Sequence, residues 1–206
     1  MMTVTGIEAV SNTRSRVYLD GEPAFVLYKG ELRKYRIAEG EELAEETVRE
    51  LETEVLPKRA RLRAMNLLKS RRYTEKQLTD KLLAGGYSRG LAGDALAYVK
   101  SFHYVDDAAY AYDYVACHME RHSMKEIEQK LMQKGIDREL TRAAARELAE
   151  NGMLTDEETM IRRLLEKKHF DPETADKKQK QRIYGYFYRK GFSIDKVRRV
   201  IEESFT

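Results

Sequence analysis

The sequence predicts a mainly all-α protein in which three tandem three-helix repeats form an elongated, curved helical array behind a small N-terminal β-hairpin extension. Three observations carry that prediction. The stretch "HSMKEIEQKLMQKGI" at 122–136 restates "YTEKQLTDKLLAGGY" at 73–87 at a constant offset of 49 residues. Each copy opens on a hydroxyl that can cap a helix and closes on a glycine that can end one. Apolar alternation with period two is confined to the residues before about 38, where strands are the expected result.

Residues 1–38 form the β extension. In "RVYLDGEPAFVLY", Val17 and Leu19 precede Asp20-Gly21, a dipeptide suited to a tight hairpin turn, and Ala24, Phe25 and Val26 follow it. Pro23 has no N–H to give to a ladder, so its strand belongs at an edge or the turn shifts by a residue. With "TVTGIEAV" in front, two or three antiparallel strands are expected, too few to stand without packing on the next helix. Residues 39–57 are expected to be an acidic helical linker. The strand signal ends there, Leu43, Thr47, Leu51 and Val55 recur at near-helical spacing, and Pro57 stops or kinks the helix or opens the next one.

The repeats are expected at 58–105, 106–154 and 155–206. Within the shared stretch Thr74 aligns with Ser123, Gln77 with Glu126, Leu78 with Ile127, Leu82 with Leu131, Leu83 with Met132 and Gly86 with Gly135. Thr74 with Gln77, and Ser123 with Glu126, match the capping box, in which hydroxyl and third-residue side chain satisfy orphaned amides. The three apolar positions of each copy predict one buried stripe, and the glycines a left-handed closure. "YVDD" at 104–107 aligns with "MLTD" at 153–156, so Asp106 or Asp107 should open one helix and Asp156 another, with Thr155 and Glu158 as a further capping box. A weaker third copy puts Ile183, Phe187 and Gly191 in the places of Ile127, Leu131 and Gly135, 56 residues on, which puts the inserted residues most simply in "HFDPETAD" (169–176). A period of this length, in units too small to bury their own stripe, means stacked helical repeats.

A chain of 206 residues, 42% hydrophobic and 35% charged, can bury a core, and a net charge of +3 does not by itself demand nucleic acid. Cys117 has no second cysteine to pair with, which favours a reducing compartment, and a lone cysteine is expected as a small buried hydrophobe. No basic-then-apolar leader and no membrane-length apolar run is present, so a cytoplasmic protein without membrane contact is expected. "GGYSRGLAG" at 85–93 lacks the phosphate-loop pattern and follows a helix, which makes it a helix closure. His118 and His122 lie four apart beside Cys117, but without further ligands at a telling spacing no metal is expected. Asp106, Asp107 and Asp113 lie among tyrosines; helix capping and Tyr110–Tyr114 packing explain them better than acid–base chemistry does. No catalytic residue and no cofactor is assigned.

Charge is uneven along the chain. Residues 38–56 hold eight glutamates and one arginine, whereas 57–72 hold seven cations and no acid. At about 100° per residue, Lys58, Arg61, Lys69 and Arg72 fall in one quadrant of a helix beside an apolar arc of Ala60, Ala64, Leu67 and Leu68. Other clusters are Arg162, Arg163, Lys167 and Lys168; Lys177, Lys178, Lys180 and Arg182; and Arg198 with Arg199. Such faces are either solvated or meet DNA or an acidic protein groove. On charge geometry the contact candidates are Lys58, Arg61, Lys69, Arg71, Arg72, Arg162, Arg163, Lys167, Lys168, Lys178 and Arg182.

The ordered set "RYTEKQLTDKLLAGGYS", "FHYVDDAAYAYDYV", "KEIEQKLMQKGI", "IRRLLEKKHF" and "DKKQKQRIYGYFYRKGFSIDKVRRVI" resembles the RecX family of regulatory proteins across almost all of 58–206. "YLDGEPAFVLYKGEL" followed by "IAEGEELAEE" resembles the β-hairpin extension of some members. His122-Ser123 departs from the glycine that the family often has there, and Gly185 is unusual inside a helix. The resemblance implies a non-enzymatic regulator of the RecA recombinase in DNA repair, homologous recombination and the SOS response. Such a protein binds the RecA filament on DNA, lies in its groove and suppresses filament growth, ATP hydrolysis, strand exchange and co-protease activity. RecA is the implied partner, with single- or double-stranded DNA as a further one, and a monomer is expected. The competing reading is a stand-alone helical DNA-binding protein that acts without RecA.

Overall fold

A computed structural model of the chain describes residues 1–153 and 155–203, so Leu154 of the aligned "MLTD" and the last three residues lie outside the described residues. The chain folds as two compact units, Met1–Val105 and Asp106–Thr206.

The first unit begins with strands β1 (Met2–Ala9), β2 (Arg14–Leu19), β3 (Glu22–Tyr28) and β4 (Glu42–Leu43), in the spatial order β3-β2-β1-β4 and antiparallel throughout. Asp20 and Gly21 take φ of 50° and 90° between the paired Leu19 and Glu22, the left-handed turn that the dipeptide predicts. Pro23 sits in β3, an edge strand, next to a register shift in β2. The expected two or three strands are four, because β4 forms inside the segment expected to be a helical linker. Leu43 is therefore buried from the sheet and not from a helix.

Two short helices follow the hairpin, α1 (Lys29–Lys34) and α2 (Glu45–Glu50). Val48, not Thr47, turns inward from α2. A π-helical turn over Leu51–Val55 carries the chain into α3 (Leu56–Leu68) with right-handed helical angles on both sides of each junction. Pro57 lies in the first turn of α3, where its missing N–H removes little, and the wider turn ahead of it leaves room for the ring. The helical path therefore passes through Pro57. Val4, Val17, Leu19, Phe25 and Leu27 pack on Ile37, Val48 and Leu51, while Val26, between Phe25 and Leu27, points to the other face of the sheet.

The remaining helices come in threes. The first triplet is α3, α4 (Glu75–Ala84) and α5 (Arg89–Ser101); the second α6 (Asp107–His118), α7 (Met124–Gln133) and α8 (Arg138–Glu150); the third α9 (Glu157–Lys167), α10 (Lys177–Arg189) and α11 (Ile194–Glu203). Each encloses its own core, around Leu78, Leu82 and Val99, around Ile127, Leu131 and Leu148, and around Ile161, Phe187 and Val200. The stripe is narrower than expected, since Leu83 and Met132 are exposed. A residue five positions after Leu78 lies about 140° around the helix from it, off the buried face.

Local signals set most helix ends. Thr74 and Gln77 form the reciprocal box at α4. Ser123 accepts from the Glu126 amide, but the Glu126 carboxylate goes to His122 and Lys130 instead of back to the cap, so this box is one-sided. Asp106, one of the two candidates, caps α6, and Asp156 caps α9 as the alignment predicts, without the added Thr155–Glu158 box. Glu158 pairs with Arg199 at 3.3 Å.

Seven closures among the described residues share one hydrogen-bond pattern. The amides of Ile37, Tyr87, Tyr104, Ile136, Met153, Phe170 and Phe192 donate to carbonyls five residues back. The residue before each is left-handed: Arg36, Gly86, His103, Gly135, Gly152, His169 and Gly191. The insertion in the third triplet is not confined to 169–176. Asp176 to Gly191 spans fifteen residues against twelve from Ser123 to Gly135, so α10 itself is longer by nearly a turn.

Candidate interaction surfaces

The cations of 57–72 do not form one stripe. Arg59 is part of the packing: its guanidinium meets the Glu31 carboxylate and the Val26 carbonyl, and lies 5.0 Å from the Tyr28 ring and 5.5 Å from the Tyr87 ring. Burial pushes the Tyr87 phenol up from its ordinary pKa. Lys58, Arg61, Lys69, Arg71 and Arg72 are exposed. The quadrant expected for Lys58, Arg61, Lys69 and Arg72 is broken, because α3 ends at Leu68 and Arg72 lies beyond it in irregular chain. Lys58 and Arg61 remain together, one turn apart on α3. Arg61 covers the Tyr98 ring at 5.1 Å and Arg71 the Tyr73 ring at 4.3 Å, and hydrogen bonding from Arg71 lowers the Tyr73 phenol.

The second group belongs to the third triplet. Arg162 is paired with Glu203 at 2.8 Å, which leaves Arg163 and Lys167 as exposed cations of α9. Lys168 ends α9 with its Nζ 3.9 Å from the centre of the Tyr186 ring. The α9–α10 connection encloses a groove of about 540 Å³ lined by Lys167, Lys168, Arg182, Gln179 and Asp171. Lys178 is exposed in the first turn of α10. Of these candidates, Lys167, Lys168 and Arg182 are brought to one place.

The residues weighed on sequence for metal or acid–base chemistry make local contacts. Tyr110, Tyr114, His118 and His122 follow one another with ring centres 6.3, 4.0 and 5.8 Å apart, the first two pairs stacked and the last tilted by 38°. His118 Nδ1 meets the Tyr114 carbonyl, and His122 Nδ1 lies 2.8 Å from the Glu126 carboxylate. Burial pushes the Glu126 carboxyl up, but His122 and Lys130 outweigh it and hold the group below its usual range. Among the described residues no three His, Cys, Asp or Glu side chains are grouped to hold a metal ion. Cys117 is exposed, contrary to expectation, because it lies two residues from the inward-facing Val115 on α6. No helix among the described residues is long and apolar enough to cross a membrane.

One surface was missed by the charge argument. Tyr98, Phe102 and Tyr104 form a contiguous aromatic group beside Arg61, with ring centres 5.1 and 5.9 Å apart. Only its sequence signal, three aromatics within seven residues beside a helix end, could have found it.

Comparison with known proteins bears on what these surfaces serve. Residues 106–144 match the family description "RecX, second three-helix domain" and residues 156–201 match "RecX, third three-helix domain". A "Regulatory protein RecX" of Trichlorobacter lovleyi is 31% identical over 146 residues, covering 69% of this chain and 93% of that one. Another, of Caldanaerobacter subterraneus, is 27% identical over 202 residues and covers 98% of each chain. A crystal structure of regulatory protein RecX superposes with a TM-score of 0.62 at 23% identity over 98% of this chain and 100% of that one, which shows a shared fold. With its helix triplets, their caps and closures, and relatives aligned over nearly their full length, the chain belongs to the RecX family of regulatory proteins.

Proposed function

We propose that the chain binds the filament of RecA on DNA and modulates its recombinase, ATPase and co-protease activities, with no chemistry of its own. It acts as a monomer in the cytoplasm, in recombinational repair and the SOS response, and its contact modules are the repeats 58–105, 106–154 and 155–206. Membership of a family of regulatory proteins supports this reading. The observation that carries it is the placement of exposed cations: Lys58 and Arg61 on α3, Arg163 and Lys167 on α9, Lys178 and Arg182 on α10. They are spread over separate triplets, as a protein needs if it touches successive subunits of a polymer through several weak contacts.

The test is RecA's single-strand-dependent ATPase rate as the protein is added, beside a Lys58/Arg61/Lys69/Arg72→Ala variant and an Arg163/Lys167/Lys168/Arg182→Ala variant. A fall in rate below equimolar protein, weakened in both variants, is expected. An unchanged rate, with tight salt-sensitive DNA binding in the absence of RecA, establishes the stand-alone DNA-binding protein instead.

A further inference from the structure

We infer that Tyr98, Phe102 and Tyr104, with Arg61 and Lys58 beside them, form a stacking platform for single-stranded nucleic acid. The first support is exposure. Tyr104 is 56% exposed and Phe102 52%. The aligned closure of the second triplet also leaves its residue in water, Met153 at 54%, but that is a single flexible side chain where the first triplet sets two rigid rings side by side. Adjacent exposed rings make an apolar patch of the kind that marks an interaction site.

The rings are also held in place. Phe102 and Tyr104 lie nearly parallel, at 22°, and Tyr98 meets Phe102 edge-on at 66°. The turn between them is pinned by the His103 amide donating to Lys100 at 2.8 Å and the Tyr104 amide to Val99 at 3.1 Å. His103 holds φ at 57°, where the second triplet has Gly152 at 68°. A rigid aromatic face loses little entropy when a flat partner stacks on it.

The cations choose the partner. The Arg61 guanidinium lies over Tyr98, and Lys58 is exposed one turn earlier on the same helix. Flat faces bordered by cations match the alternation of base and phosphate along a single strand. An apolar protein segment would cover the rings but offer Lys58 and Arg61 nothing. The platform goes beyond the filament reading, since a strand bound here needs no RecA.

The experiment is fluorescence anisotropy with a labelled oligothymidylate and with a sugar–phosphate strand of equal length that lacks bases, over a range of salt. The variants are Phe102→Leu/Tyr104→Leu, which keeps apolar bulk and removes stacking, and Arg61→Ala. Wild type is expected to prefer the base-bearing strand, and the leucine pair to lose affinity for it by about tenfold per ring with its salt slope unchanged. Arg61→Ala should weaken both strands alike and flatten the slope by about one unit. Equal affinity for the two strands, wild-type binding by the leucine pair, or no binding at all would overturn the platform. So would a leucine pair that binds DNA normally yet no longer alters the RecA ATPase, which would assign the rings to a protein partner. An unchanged RecA ATPase beside intact base-dependent binding sinks only the filament reading.

Discussion

The closures after α4 and α10 use the same local device and lean on different neighbours. Gly86 and Gly191 are both left-handed, at φ of 87° and 76°, and in both a Cβ would come within 2.7 Å of the surface opposite. For Gly86 that surface is Val26 of β3, and for Gly191 it is the hydroxyl of Ser123 at the start of α7. The fit is supported on each side: Arg14 donates to the Gly85 carbonyl at 2.6 Å, and Ser123 to the Lys190 carbonyl at 2.6 Å. The sheet thus gives the first triplet the seat that the second triplet gives the third. A helical repeat has an apolar end that needs a neighbour, and the first in a row has none before it. The small sheet fills that place, which accounts for its packing on this unit.

The largest effect should come from the fastening of that seat. Arg59→Ala leaves Glu31 and the Val26 carbonyl without their partner in a mostly buried site, and should lower unfolding free energy by about 3 kcal/mol in a urea melt. A loss under 1 kcal/mol would mean that the sheet stands on its own.

The glycines sharpen the comparison. Gly86→Ala should cost about 2–3 kcal/mol, because a left-handed alanine is strained and the branched Val26 cannot turn aside. Gly191→Ala should cost about 2 kcal/mol, since the Ser123 hydroxyl can rotate away at the expense of its bonds. Gly152→Ala, with φ of 68° and open space around it, should show the strain alone, about 1 kcal/mol. Equal losses at all three would remove the seats from the account.

Ser123→Ala should cost about 1 kcal/mol, the ordinary value of an N-cap, and more if the bond to Lys190 is strong. The smallest effect concerns pH. Glu126 is held below its usual pKa in the folded chain, so its contribution is present above the unfolded carboxylate pKa and is lost as pH falls through the folded value. Glu126→Gln should flatten that acid limb in melts at successive pH values; an unchanged slope would show that the contact with His122 and Lys130 carries no stability.

Much of this architecture is written in short stretches. Thr74 with Gln77, the left-handed Gly86, Gly135 and Gly191, and the Asp20-Gly21 turn each act on a backbone only a few residues away, so their residue types suffice. Where two local solutions lie side by side the residue types say less: they left Asp106 or Asp107 open at α6, and at α9 they added a Thr155–Glu158 box where Asp156 is the cap. Of the candidate surface, the charge pattern found Lys58 and Arg61 and left Arg59 outside their quadrant, but it could not show what Arg59 pairs with, nor that Arg162 is held by Glu203.

The sequence by itself determined the triplets, their starts and their stops, because helical period, capping and closure depend on residues within a turn or two of each other. Only the tertiary structure decided which cation is buried, that Glu42 and Leu43 join the sheet, and that Tyr104 stays in water while Tyr87 does not. Each of these depends on a partner far along the chain: Glu31 for Arg59, Met2 and Thr3 for β4, and β3 for the end of α4. Burial is a property of what arrives from elsewhere, and no stretch of sequence states it alone.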